Sequence, residues 1–241
     1  MKRRFCVNSV KPDANGSIDL SNIRQHLEVV RVGVGDVVHL FDGRGREVEA
    51  EISVFDGRSA LASVRKQVTR DTESPLECWL IQAIPVRIVR MDTIVRQVAE
   101  LGVYRVVPVF AERSQQAKVK PAATRRRADR WSRIAEAAAE QSCRAHVPEV
   151  DAPCAFDDLD WECFPRPMFI AEPGKLPVPR VPATSTVSLL IGPEGGWTGR
   201  EISAAHSFGA QPFGLGPRVL RADTAGVVAT TVFQSLWGDL N

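Results

Sequence analysis

From about residue 75 onward, short apolar runs alternate with stretches whose apolar residues recur every three or four positions. Residues 78–84 read as a buried strand. Met91, Ile94, Val95, Val98 and Leu101 then mark a helix that Gly102 closes. Residues 106–110 are the next strand, and 122–142 a long helix with Trp131, Ile134 and Ala138 on one face. Strands follow at 168–171 and 187–191. Thr198-Gly199-Arg200-Glu201 has the form of a capping box and starts a helix toward Phe208. A short strand at 213–215 and a terminal helix at 223–237 complete the pattern. Alternation of this kind predicts an α/β domain with a parallel sheet covered on both faces.

The first third differs. Residues 5–7, 37–41, 47–54 and 61–68 read as strands, the third alternating polar and apolar like a half-buried strand, and 21–30 as one short helix. Gly43-x-Gly45 lacks the third glycine and following helix of a dinucleotide loop, so Asp42-Gly43-Arg44-Gly45 is read as a hairpin turn. The polar, proline-containing stretch 69–75 is the expected boundary between domains at 1–70 and 75–241. Residues 147–167 carry no clear pattern.

The chain has 241 residues, 44% hydrophobic and 25% charged, which suits a globular protein with a sizeable core. Net charge is +2, so any basic surface is local. Five scattered cysteines without a CxxC pair suit a reducing compartment. No signal-peptide core or membrane-length apolar run is seen, and the expectation is a soluble cytoplasmic protein. The four histidines show no metal spacing, and no metal is expected.

The candidate chemistry lies near the C-terminus. Leu189-Leu190-Ile191-Gly192-Pro193-Glu194-Gly195-Gly196-Trp197 and Leu215-Gly216-Pro217-Arg218-Val219-Leu220-Arg221-Ala222-Asp223-Thr224-Ala225 each put a glycine turn after an apolar run. Glycine lets bare backbone approach a ligand, and two such loops from adjacent strands form a pocket at the crevice of an open sheet.

These two segments resemble the cofactor loops of the SPOUT class of RNA methyltransferases, and more narrowly the ribosomal RNA small subunit methyltransferase E family. Ala99-Glu100-Leu101-Gly102-Val103, Val106-Val107-Pro108-Val109, Glu112-Arg113-Ser114 and Glu136-Ala137-Ala138-Ala139-Glu140-Gln141-Ser142 extend the resemblance over about residues 76–236. It implies a trefoil-knotted parallel-sheet domain, threaded near 187–225, preceded by a small PUA-like β-barrel that binds RNA. It also implies a homodimer that uses S-adenosylmethionine to methylate N3 of a uridine in 16S ribosomal RNA. Other RNAs, a ribose hydroxyl, or an inactive RNA-binding assembly factor are the alternatives. That family commonly carries lysines where this chain has Arg87 or Arg90, and Arg96.

The resemblance implies that Ile191, Gly192, Pro193, Gly195, Gly196, Leu215, Gly216, Val219 and Leu220 wall the cofactor. Glu194 is a candidate to orient substrate or act as base, or simply a helix-terminal acid. Arg221 suits a uridine carbonyl or a phosphate, or an ion pair with Asp223. Arg113 and Arg218 are candidates for contact with RNA near the substrate. Lys118, Lys120, Arg125, Arg126, Arg127, Arg130 and Arg133 cluster around the long helix, as either a phosphate-binding patch or a solvated face. Arg3 and Arg4 form a second, smaller basic candidate.

Overall fold

The computed structural model describes residues 3–114, 121–178 and 183–240. The chain divides into two compact units. One comprises Met1–Glu73 with Ala139–Val147, and the other Ser74–Ala138 with Pro148–Asn241.

The first unit is built on a five-stranded sheet. Its strands are β1 (Arg4–Cys6), β2 (Ser17–Asp19), β3 (Val37–Phe41), β4 (Glu47–Phe55) and β5 (Ala60–Val68), joined by a short helix, α1 (Arg24–Val29). The order is β1-β3-β4-β5-β2; β1 runs parallel to β3 and the other pairs are antiparallel. β2 is too short for its pattern to stand out from the surrounding turns. Phe41 pairs with Glu47 across the β3–β4 turn, so Gly43-x-Gly45 is a hairpin connection. Val48, Ala50 and Ile52 face the apolar core together with Phe5, Leu27 and Leu40.

The alternation predicts a wet opposite face for β4, but only its far part, at Glu51 and Ser53, reaches solvent. Glu47 and Glu49 are buried. Glu47 receives Arg4, Arg70 and His39, and residues 139–147 cover the area. Arg4 is accordingly buried rather than at the surface. Its guanidinium pairs with Glu47, donates to the carbonyls of Ala139 and Arg144, and lies 3.7 Å above the Phe41 ring.

The second unit alternates strand and helix. In chain order it has β6 (Glu77–Ala83), α2 (Val89–Glu100), β7 (Arg105–Phe110), α3 (Pro121–Ser142), β8 (Glu149–Val150) and β9 (Cys154–Ala155). Then come β10 (Met168–Ala171), β11 (Thr186–Ile191), α4 (Gly199–Ser207), β12 (Gln211–Phe213) and α5 (Ala222–Trp237). The sheet order is β12-β10-β11-β6-β7-β8, with β9 also on β7, and every pair is parallel. Trp79, Ile81 and Ala83 of β6 face the apolar cluster that includes Ala205 of α4. The alternate face carries α5, which packs on α2, β6 and β11.

Two expectations need correction. The last strand is 211–213 rather than 213–215, because the Gly214 N–H leaves the ladder to bond Leu176 O at 2.7 Å. On α3, Trp131, Ala135, Ala138 and Ala139 are buried while Ile134 is only half-buried. The unassigned stretch 147–167 holds β8, β9 and two 3-10 turns. It anchors itself through Phe156, Trp161 and Phe164, and Trp161 stacks on Phe208 at 5.0 Å between centroids. Those aromatic anchors follow no strand or helix period.

Candidate functional site

β6 and β11 are neighbours in the sheet, but the chain leaves them in opposite directions, β6 toward β7 and β11 toward β12. That is a topological switch point, where open parallel sheets leave a crevice beyond the strand ends. A cavity of about 330 Å³ lies past the ends of β10, β11 and β12. This volume falls in the range of small-molecule sites, about 300–1,000 Å³.

Ile191, Gly192, Pro193, Gly195, Gly196, Leu215, Gly216, Val219 and Leu220 all line it, with Glu194, Arg113 and Arg218. The two glycine loops do not follow adjacent strands, however. β10 lies between β11 and β12 and contributes Ala171, Glu172 and Pro173 to the lining. Gly196 and Gly216 have φ of +68° and +95°, a backbone that residues with a Cβ resist. A Cβ at Gly192 would lie 3.3 Å from the Trp197 indole, and one at Gly195 3.2 Å from the Arg113 stem. Bare backbone is therefore part of the wall of this cavity.

Glu194 is engaged on both oxygens. One accepts from Val86 N–H at 3.0 Å and the other from Arg90 at 3.1 Å. Arg113 donates to Gly195 O at 2.8 Å. Arg221 stands at the N-cap of α5 and is exposed. It is not among the lining residues, though Leu220 and Ala222 on either side of it are.

The other basic candidates lie apart from the cavity lining. Arg3 pairs with Asp36 in the first unit. Arg130 reaches Asp92 with two nitrogens, and Asp92 also accepts from the Trp131 indole. Arg127 is half-buried, and burial pulls its guanidinium below its ordinary pKa. Arg126 is exposed on α3. Lys118 and Lys120 lie outside the described residues.

Several site residues escaped the pattern. Trp197, Glu172 and Ile202 line the cavity, and Arg90 holds Glu194. The capping box gave a signal for the support beneath. Glu201, fully buried, accepts from Thr198 N–H and from Glu112 N–H, each at 2.8 Å, so one carboxylate ties the start of α4 to the loop after β7. Thr198→Ala removes the reciprocal half of that cap and is expected to lower stability by about 1 kcal/mol, read from urea unfolding.

A family model described as an RNA methyltransferase domain matches residues 72–234. The ribosomal RNA small subunit methyltransferase E of Synechocystis sp. is 32% identical over 232 residues, covering 93% of this chain and 74% of that protein. The chain belongs to the ribosomal RNA small subunit methyltransferase E family. A further member, from Aquifex aeolicus, is 31% identical over 227 residues, with 88% of this chain and 96% of that protein covered. Among solved structures, the family member from Neisseria gonorrhoeae bound to S-adenosyl methionine is 33% identical with a TM-score of 0.89, covering 100% of both chains. A putative methyltransferase from Legionella pneumophila, in complex with the same cofactor, is 31% identical, also with a TM-score of 0.89 and 100% of both chains covered.

Proposed function

We propose that this protein is a cytoplasmic homodimer that transfers a methyl group from S-adenosylmethionine to N3 of one uridine in 16S ribosomal RNA. The observation that carries the reading is the cavity, in which two glycine loops offer main-chain groups and apolar side chains to one small ligand. Relatives of similar sequence bear the small-subunit methyltransferase name, and two similar structures hold the cofactor. Among the described residues, no helix is long and apolar enough to cross a membrane.

The residues fit such a cofactor. Ile191, Leu215, Val219 and Leu220 give apolar contact to a purine, and the open backbone at Gly192–Gly196 gives hydrogen-bonding groups. When bound, S-adenosylmethionine supplies an electrophilic methyl group on a sulfonium. The chain's own part is to hold the uridine ring edge-on to that centre and to favour its N3 anion. Arg218, exposed on the lining, and Arg221, three residues further along the chain, are the cations for that task. Glu194 has two donors on its carboxylate, which suits orientation of the loop.

The second unit is read as a trefoil knot. Its support is the tight crossing at Gly214, where Leu176 O accepts the Gly214 N–H and Lys175 O occupies the space of a Cβ. The first unit is read as a PUA-like barrel that binds RNA, with Arg3 at its surface, and Arg126 on α3 adding phosphate contact.

The test uses small subunits from cells lacking the orthologous enzyme, incubated with the protein with and without S-adenosylmethionine. The expected result is a cofactor-dependent reverse-transcription stop at one uridine, with N3-methyluridine in the digest. Cofactor binding without a stop overturns the N3 assignment. A stop-free digest carrying a methylated ribose replaces it with the ribose reading.

A further inference from the structure

Arg90 is the second residue of α2, a helix whose N-cap makes no side-chain hydrogen bond. A cation there opposes the helix dipole, so this is a poor place for a merely solvated arginine. Its side chain is three-quarters buried and lies between two carboxylates from different loops. One nitrogen is 3.1 Å from Glu194, in the loop after β11, and another is 3.9 Å from Asp223, in the first turn of α5. Asp223 Oδ1 is buried without a hydrogen-bond partner among the described residues, and its other oxygen, Oδ2, is the one that faces the guanidinium. Gly192–Trp197 form one wall of the cavity, and Val219, Leu220, Ala222 and Ala225 belong to the other.

Resting on the methyl-donor reading of the cavity, we infer that Arg90 is a positioning residue that latches the two cavity walls in their ligand-ready spacing. It acts through Glu194 and Asp223 and does not itself line the cavity. Glu194 is then a strut, since Val86 N–H and Arg90 both donate to its carboxylate. A lysine cannot replace the latch fully, because a point charge does not serve two carboxylates as a planar fork does.

The experiment measures S-adenosylmethionine binding by calorimetry on the full chain for wild type, Arg90→Gln, Glu194→Gln and the double variant. It adds steady-state kinetics on small subunits and amide hydrogen exchange without ligand. Each single variant is expected to weaken binding about tenfold, the size of one charge-assisted hydrogen bond. The double variant is expected to be no weaker than about twofold beyond either single, because both remove the same contact. At saturating cofactor and RNA, kcat and its pH profile in Arg90→Gln stay at wild-type values. Amides of 194–196 and 219–225 exchange faster in Arg90→Gln.

Wild-type affinity and exchange in Arg90→Gln overturn the latch, as do additive losses in the double variant. A shifted pH profile of kcat overturns the strut and puts Arg90 or Glu194 into the chemistry. If wild type itself binds no S-adenosylmethionine, the donor reading fails, and exchange in the two walls alone decides the latch. If Arg90→Gln does not fold, Arg90→Lys carries the same measurements, with partial loss expected and wild-type values overturning.

Discussion

Gly214→Ala is expected to lower the melting temperature by about 10 °C, because the added methyl has no space at the crossing. A Cβ there would stand 2.0 Å from Lys175 O and 2.8 Å from its carbonyl carbon. Both are backbone atoms, so no rotamer change relieves the collision. The neighbouring chain is also held in place, since Gly214 N–H donates to Leu176 O at 2.7 Å. Gly214 does not have a left-handed φ, so the effect is collision rather than backbone strain. Overpacking usually costs about 1–3 kcal/mol, and a backbone obstacle places this case at or beyond the upper end. Gly199→Ala is the control. It opens α4 with nothing within 4 Å of a new Cβ, and alanine favours helix, so its melting temperature should hold or rise slightly. Circular dichroism melts decide it. A shift under about 2 °C for Gly214→Ala would mean that residues 175–176 and 214 move apart freely, and the close crossing would lose its structural weight.

The crossing also shows where pattern reading reaches and where it stops. Glycines after apolar runs are visible in the chain because both the run and the turn are local. The family resemblance of those loops implied nine wall residues, and all nine line the cavity. What separates the two loops is non-local. β10 enters between β11 and β12, and no periodicity near 191 or 215 announces that. Arg90 is similar: its spacing marks one end of a helix, but its partners stand 104 residues away for Glu194 and further still for Asp223. Arg4 is buried for a reason equally distant in the chain. A charge beside the N-terminus looks solvated until β4 and residues 139–147 are brought over it. The apolar and polar pattern reports which face of an element is wet only when nothing else covers that face.

At Glu47 that covering has a large energetic consequence. Burial by itself would raise its pKa, but hydrogen bonds from Arg70, Arg4 and His39 and the Arg4 charge outweigh it and bring the value from 4.5 to about 2. Its side chain is 1% exposed, so solvent screens these contacts little. A carboxylate with a depressed folded-state pKa stabilises the fold fully above its unfolded value. That stability is lost as pH falls from about 4.5 through about 2. The total at stake is about 3 kcal/mol. Glu47→Gln keeps the shape but removes the charge, leaving Arg4, 5% exposed, and Arg70, 26% exposed, without their shared anion. Breaking a buried pair on one side costs about 3–5 kcal/mol, so the variant should unfold at markedly lower urea at pH 7. The decisive measurement is the difference between wild type and Glu47→Gln across acid pH, which cancels the other carboxylates. That difference should be flat above about pH 5 and shrink steadily toward pH 2. A difference that stays constant through this range would mean that Glu47 titrates alike folded and unfolded. The cluster would then hold β1, β3 and β4 by shape and hydrogen bonding, and its charge would not be what fixes residues 139–147 against the sheet.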